Sequence, residues 1–451
     1  MTLLHDSGTR AKLFTVRSAL WSLSKAGDPG ARLMSLQPGE SPYPVYAAVR
    51  ARGELVRSKL GVHLTGSHPL CQEALRDPRF GVAPISELTR IDFDRHAGGR
   101  RRYVQPVDDS FLSLNPPEHT RLRKLVAPWF TPRALRARTE LVERTVAREL
   151  DELARRPRFD AVTDFAVRVA ISTITGLLGV RTVDHDRFVW WGMTLAGTLN
   201  GVRTMGEVRE TRAVLGELEA FFDELIAHRR RHPGDDVVSR LVECEADGRP
   251  LERKDLLATA QLLFVAGFET MVNLVANAIV TLLDGNGGNG DGDDGGNGGG
   301  GNTVRHRLAA DPQLAEDVVE EVLRLDSPVQ YVARVAREPV ELGGHRLRPG
   351  STVVLLLGAA NRDPSVFAEP DRFDPGRPNS REHLAFSAGA HFCLGAGLAR
   401  LQATTMLREL FRRFPALASA GPVTRRPSRN IRGVIHLPVA VRAPSRSEPA
   451  A

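Results

Sequence analysis

"FSAGAHFCLGAGLAR", Phe386–Arg400, is the stretch on which the reading of this chain turns. Cys393 stands in it between glycines, Gly389 before it and Gly395 and Gly397 after it, and a helix-forming run follows at once. Glycines let backbone approach a flat partner closely, and N–H groups at a helix start favour negative charge on a sulfur. That is the setting a metal-bound thiolate needs. The other two cysteines, Cys71 and Cys244, have no such surroundings and read as small buried hydrophobes. No two of the three show paired spacing, so a disulfide framework and a cysteine zinc cage are both excluded, and a reducing, cytoplasmic setting fits.

With Phe386, Gly389, His391, Cys393, Gly395, Leu398 and Ala399 at their respective places, the stretch resembles the cysteine loop of the haem-thiolate monooxygenases, the cytochromes P-450. The resemblance extends along the chain. In "EEVLRL", Glu321 and Arg324 are three apart and share a helix face; in the family such a pair is completed by an arginine from a later meander, here Arg377 in "FAEPDRFDPGRP". "VAGFETMVN", Val265–Asn273, looks like the family's oxygen-activating stretch. Gly267 costs a helix about 1 kcal/mol relative to alanine, and Glu269 and Thr270 put an acid and an alcohol into an otherwise apolar segment. The resemblance implies that Ala266 contacts the cofactor, that Gly267 leaves room for dioxygen, and that Glu269 with Thr270 relays protons.

In "NPPEHTRLRKLV", His119 and Arg123 stand four apart on one helix face, where aligned cations can hold carboxylates. Arg334 in "YVARVARE" and His391 beside the cysteine match the family's remaining propionate positions. The implied cofactor is haem b, with Cys393 as axial iron ligand and Phe386 and Gly395 as further contacts. Cysteine thiolate ligation favours O–O cleavage. The implied reaction inserts one atom of O2 into a C–H or C=C bond of a hydrophobic small molecule, with a role in secondary metabolism. The chain shows no convincing flavin, nicotinamide or iron–sulfur motif, so the electrons are expected from a ferredoxin and its reductase, and basic residues around the cysteine face suit an acidic ferredoxin. Two rivals stand beside this reading: a haem-binding or sensor protein without turnover, against which Glu269 and Thr270 argue, and a peroxide-driven oxygenase.

Composition sets the outer bounds. The chain has 451 residues, 42% hydrophobic and 25% charged, enough for a substantial core. Its net charge is +7, from 61 basic and 54 acidic residues, and all but five of the basic ones are arginine. They are scattered, with no aromatic stacking platform among them, so nucleic-acid binding is not expected. The apolar run Leu256–Leu283 is long enough to span a bilayer, but Gln261, Glu269, Asn273 and Asn277 interrupt it. It reads as a buried helix, and neither a membrane span nor a secretory signal is expected.

Helical periodicity marks Thr139–Ala154, Arg209–Arg231, Lys254–Leu283, Gln313–Arg324 and Leu398–Phe414, whereas strand signals are confined to a hairpin at Val340–Val354 and to Ile431–Val441. The fold expected is mainly α with a small β-sheet region, one large cytochrome P-450-type domain over residues 41–441. Residues 1–40 form a partly ordered extension, frayed over Met1–Gly30, and residues 442–451 a disordered tail. "GNGGNGDGDDGGNGGGGN", residues 285–302, has almost nothing to bury and reads as a flexible surface insert that leaves the haem site intact. The arginine-rich loop Arg90–Arg102 falls where the family's substrate-covering loop lies, which suggests an anionic substrate or acidic partner. Substrate-lining segments are expected at Gly81–Phe111, Gly192–Met205, the central helix, Pro328–Ala333 and Ile431–Val434.

Overall fold

The computed structural model of the chain describes residues 2–37, 39–89, 94, 101–180, 184–200, 204–246, 249–283 and 300–441. Most of the glycine-rich insert, the tail from 442 and most of the Arg90–Arg102 loop lie outside these residues. The fold is organised around Arg253–Leu283, a helix of 31 residues with apolar side chains on every face, the pattern of a helix enclosed on all sides. Its four polar interruptions, Gln261, Glu269, Asn273 and Asn277, are themselves buried. Val167–Leu178, His185–Gly197, Met205–Arg231, Ala315–Leu325 and Ala396–Arg413 pack around it. Leu257, Phe264, Val275 and Ile279 are fully enclosed in the resulting core, each contributing about 1.5–3 kcal/mol by burial. Two segments, Ala161–Leu178 and the central helix, are long and apolar enough to cross a membrane, yet 72% and 83% of their apolar windows are buried inside the protein.

Helix starts are set by side-chain caps. Thr131, Asp184 and Thr204 each accept a bond from the backbone N–H three residues on, Ala134, Arg187 and Glu207, worth roughly 1 kcal/mol apiece. The Thr131 cap with Pro132 at the first position explains why the helix expected from Thr139 begins at Pro132. Its first two turns are rich in exposed or half-buried arginine and have no apolar stripe to reveal them. Gly300–Ala310 is helical, so the expected insert 285–302 gives way to regular structure at its last three residues. In the expected extension, Thr2–Lys25 and Pro29–Met34 are helices. Fraying to Gly30 is not what is found, since Pro29, Gly30, Ala31 and Leu33 are buried.

The sheets are small. Val56–Arg57 (β1), His63–Thr65 (β2), Phe80–Gly81 (β3), Val332–Ala336 (β4) and Thr352–Leu355 (β5) form one sheet in the order β1-β2-β5-β4-β3. The hairpin expected over Val340–Val354 closes earlier, pairing Val340–Leu342 with His345–Leu347 around Gly343 and Gly344. Pro349–Gly350 then turns the chain away, and β5 pairs antiparallel with β4 and parallel with β2. Within Ile431–Val441, Val434–His436 pairs with Thr424–Arg425, and Pro438–Ala440 lies between Ala418–Ser419 and Arg158–Asp160. Helices and sheets together make one mainly helical domain.

Candidate haem site

Cys393 is held by its own loop. Its N–H donates to Phe386 O at 2.9 Å, and its carbonyl accepts from Ala396 N at 3.4 Å as the helix Ala396–Arg413 begins. Gly389 closes the loop at φ 67°, and a Cβ there would fall 2.2 Å from Leu75 O, so only glycine fits. Cys393 lines a cavity of about 1940 Å3. Burial pushes its thiol up, while the Gly395 N–H and the charges of Arg123 and Arg400 pull it back. A thiol so placed stays protonated until a cation meets it, as a structural metal ligand does. Among the described residues, no group of three or more His, Cys, Asp and Glu side chains is arranged to hold a metal ion.

Phe386 and Gly395 line the same cavity as Cys393. Arg400 sits 4.6 Å over the Phe386 ring and is anchored to Glu320 by bonds of 2.5 and 3.0 Å. His383 Nε2 lies 3.3 Å from the same carboxylate. Burial alone would raise the Glu320 carboxyl, but His383 and Arg400 outweigh it and hold it at about 2. The sequence reading missed this buried group; its one visible trace is an arginine seven residues after the cysteine.

The four basic residues singled out in the sequence converge. His119 is buried on the helix Glu118–Val126, and its ring lies 4.2 Å from that of His391. Arg123 Nη2 donates to Phe392 O at 2.5 Å. Arg334 points from β4 to Ser387 Oγ at 3.4 Å, where Ser387 adopts an uncommon φ of 62°. Arg123, Arg334, His391 and Ser387 line the same cavity as Cys393. Burial lowers all four basic groups, His391 to about 3 and Arg334 to about 10, and the mutual repulsion of the cluster adds to the effect at the histidines. No carboxylate acts on any of them among the described residues, and both ring nitrogens of His119 lack a partner. Two arginine cations beside two neutral imidazoles, with His119 and Arg334 buried and both His119 nitrogens unpartnered, are costly alone. The cluster matches a ligand with two carboxylates and a flat apolar body, so the residues present fit haem.

Elsewhere on the cavity wall stand Ala266, Gly267, Glu269 and Thr270 of the central helix. Thr270 Oγ1 donates to Ala266 O at 2.8 Å, a bond that loosens the helical backbone there. Glu269 is buried, with Oε1 2.5 Å from Arg426 Nη1. Burial raises its carboxyl to about 7 against the pull of Arg426. A Cβ on Gly267 would meet Ile174 Cδ1 at 2.9 Å, so at this point of the cavity wall the helix Val167–Leu178 also comes close.

Glu321 and Arg324 are fully buried and joined by bonds of 2.8 and 2.7 Å. Arg377 Nε completes the group at 3.3 Å from Glu321 Oε1. Arg324 also donates to the carbonyls of Asn361, Pro370 and Arg372, so this pair clamps the meander to its helix. The expected substrate segments contribute Val82, Phe111, Leu195, Val329 and Ile431 to the cavity. Unforeseen in the sequence, Phe14 and Trp21 of the first helix line it too. In the arginine-rich loop, Arg101 is tied to Asp108 and Asp109, and Arg90 and Arg100 lie outside the described residues.

The cytochrome P450 family model matches residues 299–437. A putative cytochrome P450 140 of Mycobacterium tuberculosis is 39% identical over 94% of either chain. The 6-deoxyerythronolide B hydroxylase of Saccharopolyspora erythraea is 38% identical over 81% of this chain and 87% of its own. Among solved structures, P450BioI in complex with an acyl carrier protein bearing hexadec-9Z-enoic acid superposes with a TM-score of 0.76 at 32% identity, covering 89% of this chain and 98% of that one.

Proposed function

This chain belongs to the cytochrome P450 family, and from that premise we propose that it hydroxylates or epoxidises a hydrophobic small molecule of secondary metabolism in the cytoplasm, fed by a ferredoxin and its reductase. As a member of the family it is an oxidoreductase that binds haem b through a cysteine thiolate and uses O2. The observation that carries the finer reading is the convergence, on one cavity, of the Cys393 thiol, a basic cluster without carboxylates and the Ala266–Thr270 turn.

In this reading Cys393 would ligate the haem iron through its sulfur. His119, Arg123, Arg334 and His391 would hold the two propionates, and Phe386 and Gly395 would pack beside the sulfur. Haem ligated by thiolate supplies the O2-cleaving oxidising chemistry. The protein's own work is positioning and proton supply. Thr270, bonded to Ala266 O, holds a hydroxyl at the cavity wall, and Glu269, poised near neutrality, recharges it with protons. A bare binding protein has no use for a buried acid beside an alcohol. The largely apolar cavity reaching from Phe14 to Ile431 suits a bulky apolar substrate beside the cofactor, in line with the 6-deoxyerythronolide B named for one relative.

Two measurements test this. The reduced, carbon monoxide-bound protein should show a strongly red-shifted Soret band that Cys393→Ser abolishes; an unshifted band would remove the thiolate assignment. Product formation should require NADH with ferredoxin and reductase, and turnover driven equally well by hydrogen peroxide alone would replace the monooxygenase reading with the peroxide-driven one.

A further inference from the structure

Glu269, Asn273 and Asn277 recur every four residues along the central helix and so occupy one face. All three are buried, and that face meets the C-terminal segment 425–433. Arg426 Nη1 reaches Glu269 Oε1 at 2.5 Å, a Cβ on Gly433 would fall 1.9 Å from Asn273 Oδ1, and Asn277 Nδ2 donates to Arg432 O at 3.3 Å and to Asp326 O at 3.0 Å. Arg426 is fixed by its own backbone bond to Gly433 O at 3.0 Å, just past the register shift at Thr424/Arg425, the kind of irregularity that re-aims a side chain.

Along this seam a row of buried polar atoms has no protein partner: Glu269 Oε2, both amide atoms of Asn273, Asn277 Oδ1, Arg425 Nη1 and Arg426 Nε. Each would cost about 1–3 kcal/mol if left bare, and a polar seam of this kind is where ordered water bridges. The seam starts at the acid beside Thr270 and runs along the helix against the C-terminal segment 425–433.

We propose that Arg426 is the positioning residue of Glu269: it draws the carboxylate onto the C-terminal hairpin at the inner end of a hydrated seam, so that Glu269 takes protons from that seam and gives them up toward Thr270. The inference rests on the Glu269–Thr270 relay proposed above. In each cycle a proton passes from seam water to Glu269 and then toward the cavity, and the water is recharged from solvent, so charge and atoms balance. Arg426 is the one charged group acting on the Glu269 carboxyl among the described residues. Without it, burial acts alone and the carboxylate form is lost.

The test uses the haem-loaded protein. The infrared carbonyl band of a buried carboxylic acid, assigned by its loss in Glu269→Gln, is titrated against pH. The wild-type band should titrate near neutrality; Arg426→Gln should move its midpoint up by at least about one pH unit, and Arg426→Lys should restore most of the shift. In turnover, Arg426→Gln should lower product formed per NADH at least about fivefold and enlarge the solvent deuterium isotope effect, as a starved proton relay does. Should Arg426→Gln fail to fold, the neutral pair Glu269→Gln with Arg426→Met should couple as well as Glu269→Gln alone. A band midpoint indifferent to Arg426, or a second full loss of coupling when Arg426→Met is added to Glu269→Gln, would overturn the inference. A shifted midpoint in a protein that oxidises nothing would leave the seam standing and sink the relay it was meant to serve.

Discussion

Arg324→Met removes the charge at the centre of the buried clamp while keeping roughly its volume. Five bonds go: two to Glu321 and three to the carbonyls of Asn361, Pro370 and Arg372. Glu321 keeps Arg377 at 3.3 Å and the Asp374 N–H at 3.0 Å, and Arg372 O keeps Arg377 Nη2. Breaking a buried ion pair from one side costs about 3–5 kcal/mol, and the two carbonyls left without a charged donor add about 1 kcal/mol each. A domain of about 400 residues unfolds with an entropy near 0.8 kcal/mol/K, so this ~5–7 kcal/mol lowers the melting temperature by roughly 6–9 °C. Calorimetry of holo wild type and variant reads the shift directly. Replacing the partner as well, Glu321→Leu with Arg324→Met, should recover part of it, since no buried carboxylate is then left with Arg377 as its one charged partner and Arg377 keeps its bonds to the carbonyls of Ala368, Glu369 and Arg372. A single variant melting within about 2 °C of wild type, or a double variant no better than the single, would refute the ion-pair account.

Three further outcomes are expected. Arg334→Met should speed haem loss to apomyoglobin about 10–100-fold, the worth of one charge-assisted bond. It should leave the urea midpoint of the haem-free protein unlowered, because the cation it removes is buried without a carboxylate; a lowered midpoint would mean that Arg334 serves the fold instead. Glu320, ordinarily titrating at 4.5, is held at about 2 in the folded chain. Its contribution is therefore present above pH 4.5 and is lost as pH falls toward 2, up to ~3 kcal/mol, and Glu320→Gln should flatten the urea midpoint against pH over that window. Gly267→Ala should change melting by under about 2 °C, since the helix gains about 1 kcal/mol of propensity against local strain with the mobile end of Ile174. Its effect should appear instead in substrate-binding titrations, because Ile174 lines the cavity.

What the sequence made legible follows a physical division. The cysteine loop, the Glu321–Arg324 pair and the central helix were readable because each is local: glycine spacing, a three-residue offset and an unbroken apolar run are visible along the chain. The four basic groups around His119 could be gathered only by family resemblance, since β4 and the Glu118–Val126 helix meet through tertiary packing. Arg426 gave no signal at all, standing 157 positions after Glu269 in an unremarkable arginine pair. Gly267 marked a close approach without saying from which side, and the Ile174 contact could not be read from the sequence. The hairpin over Val340–Val354 was placed too long because Pro349–Gly350 ends one strand pair and begins another, a switch of partner that alternation cannot reveal.

The cavity wall is built from two separate sources. The cradle for the cofactor draws on 119–123, 334 and 386–395, whereas the apolar space beyond it borrows Phe14, Trp21, Val82, Leu195, Val329 and Ile431 from five distant stretches of chain. Because these share no backbone with the cradle, mutations that reshape the larger chamber are free to accumulate without disturbing the chemistry it opens onto. Such partition lets a lineage change its diet while keeping its engine, and it places the first helix, whose Phe14 and Trp21 remain 73% and 65% exposed, among the parts most open to such revision.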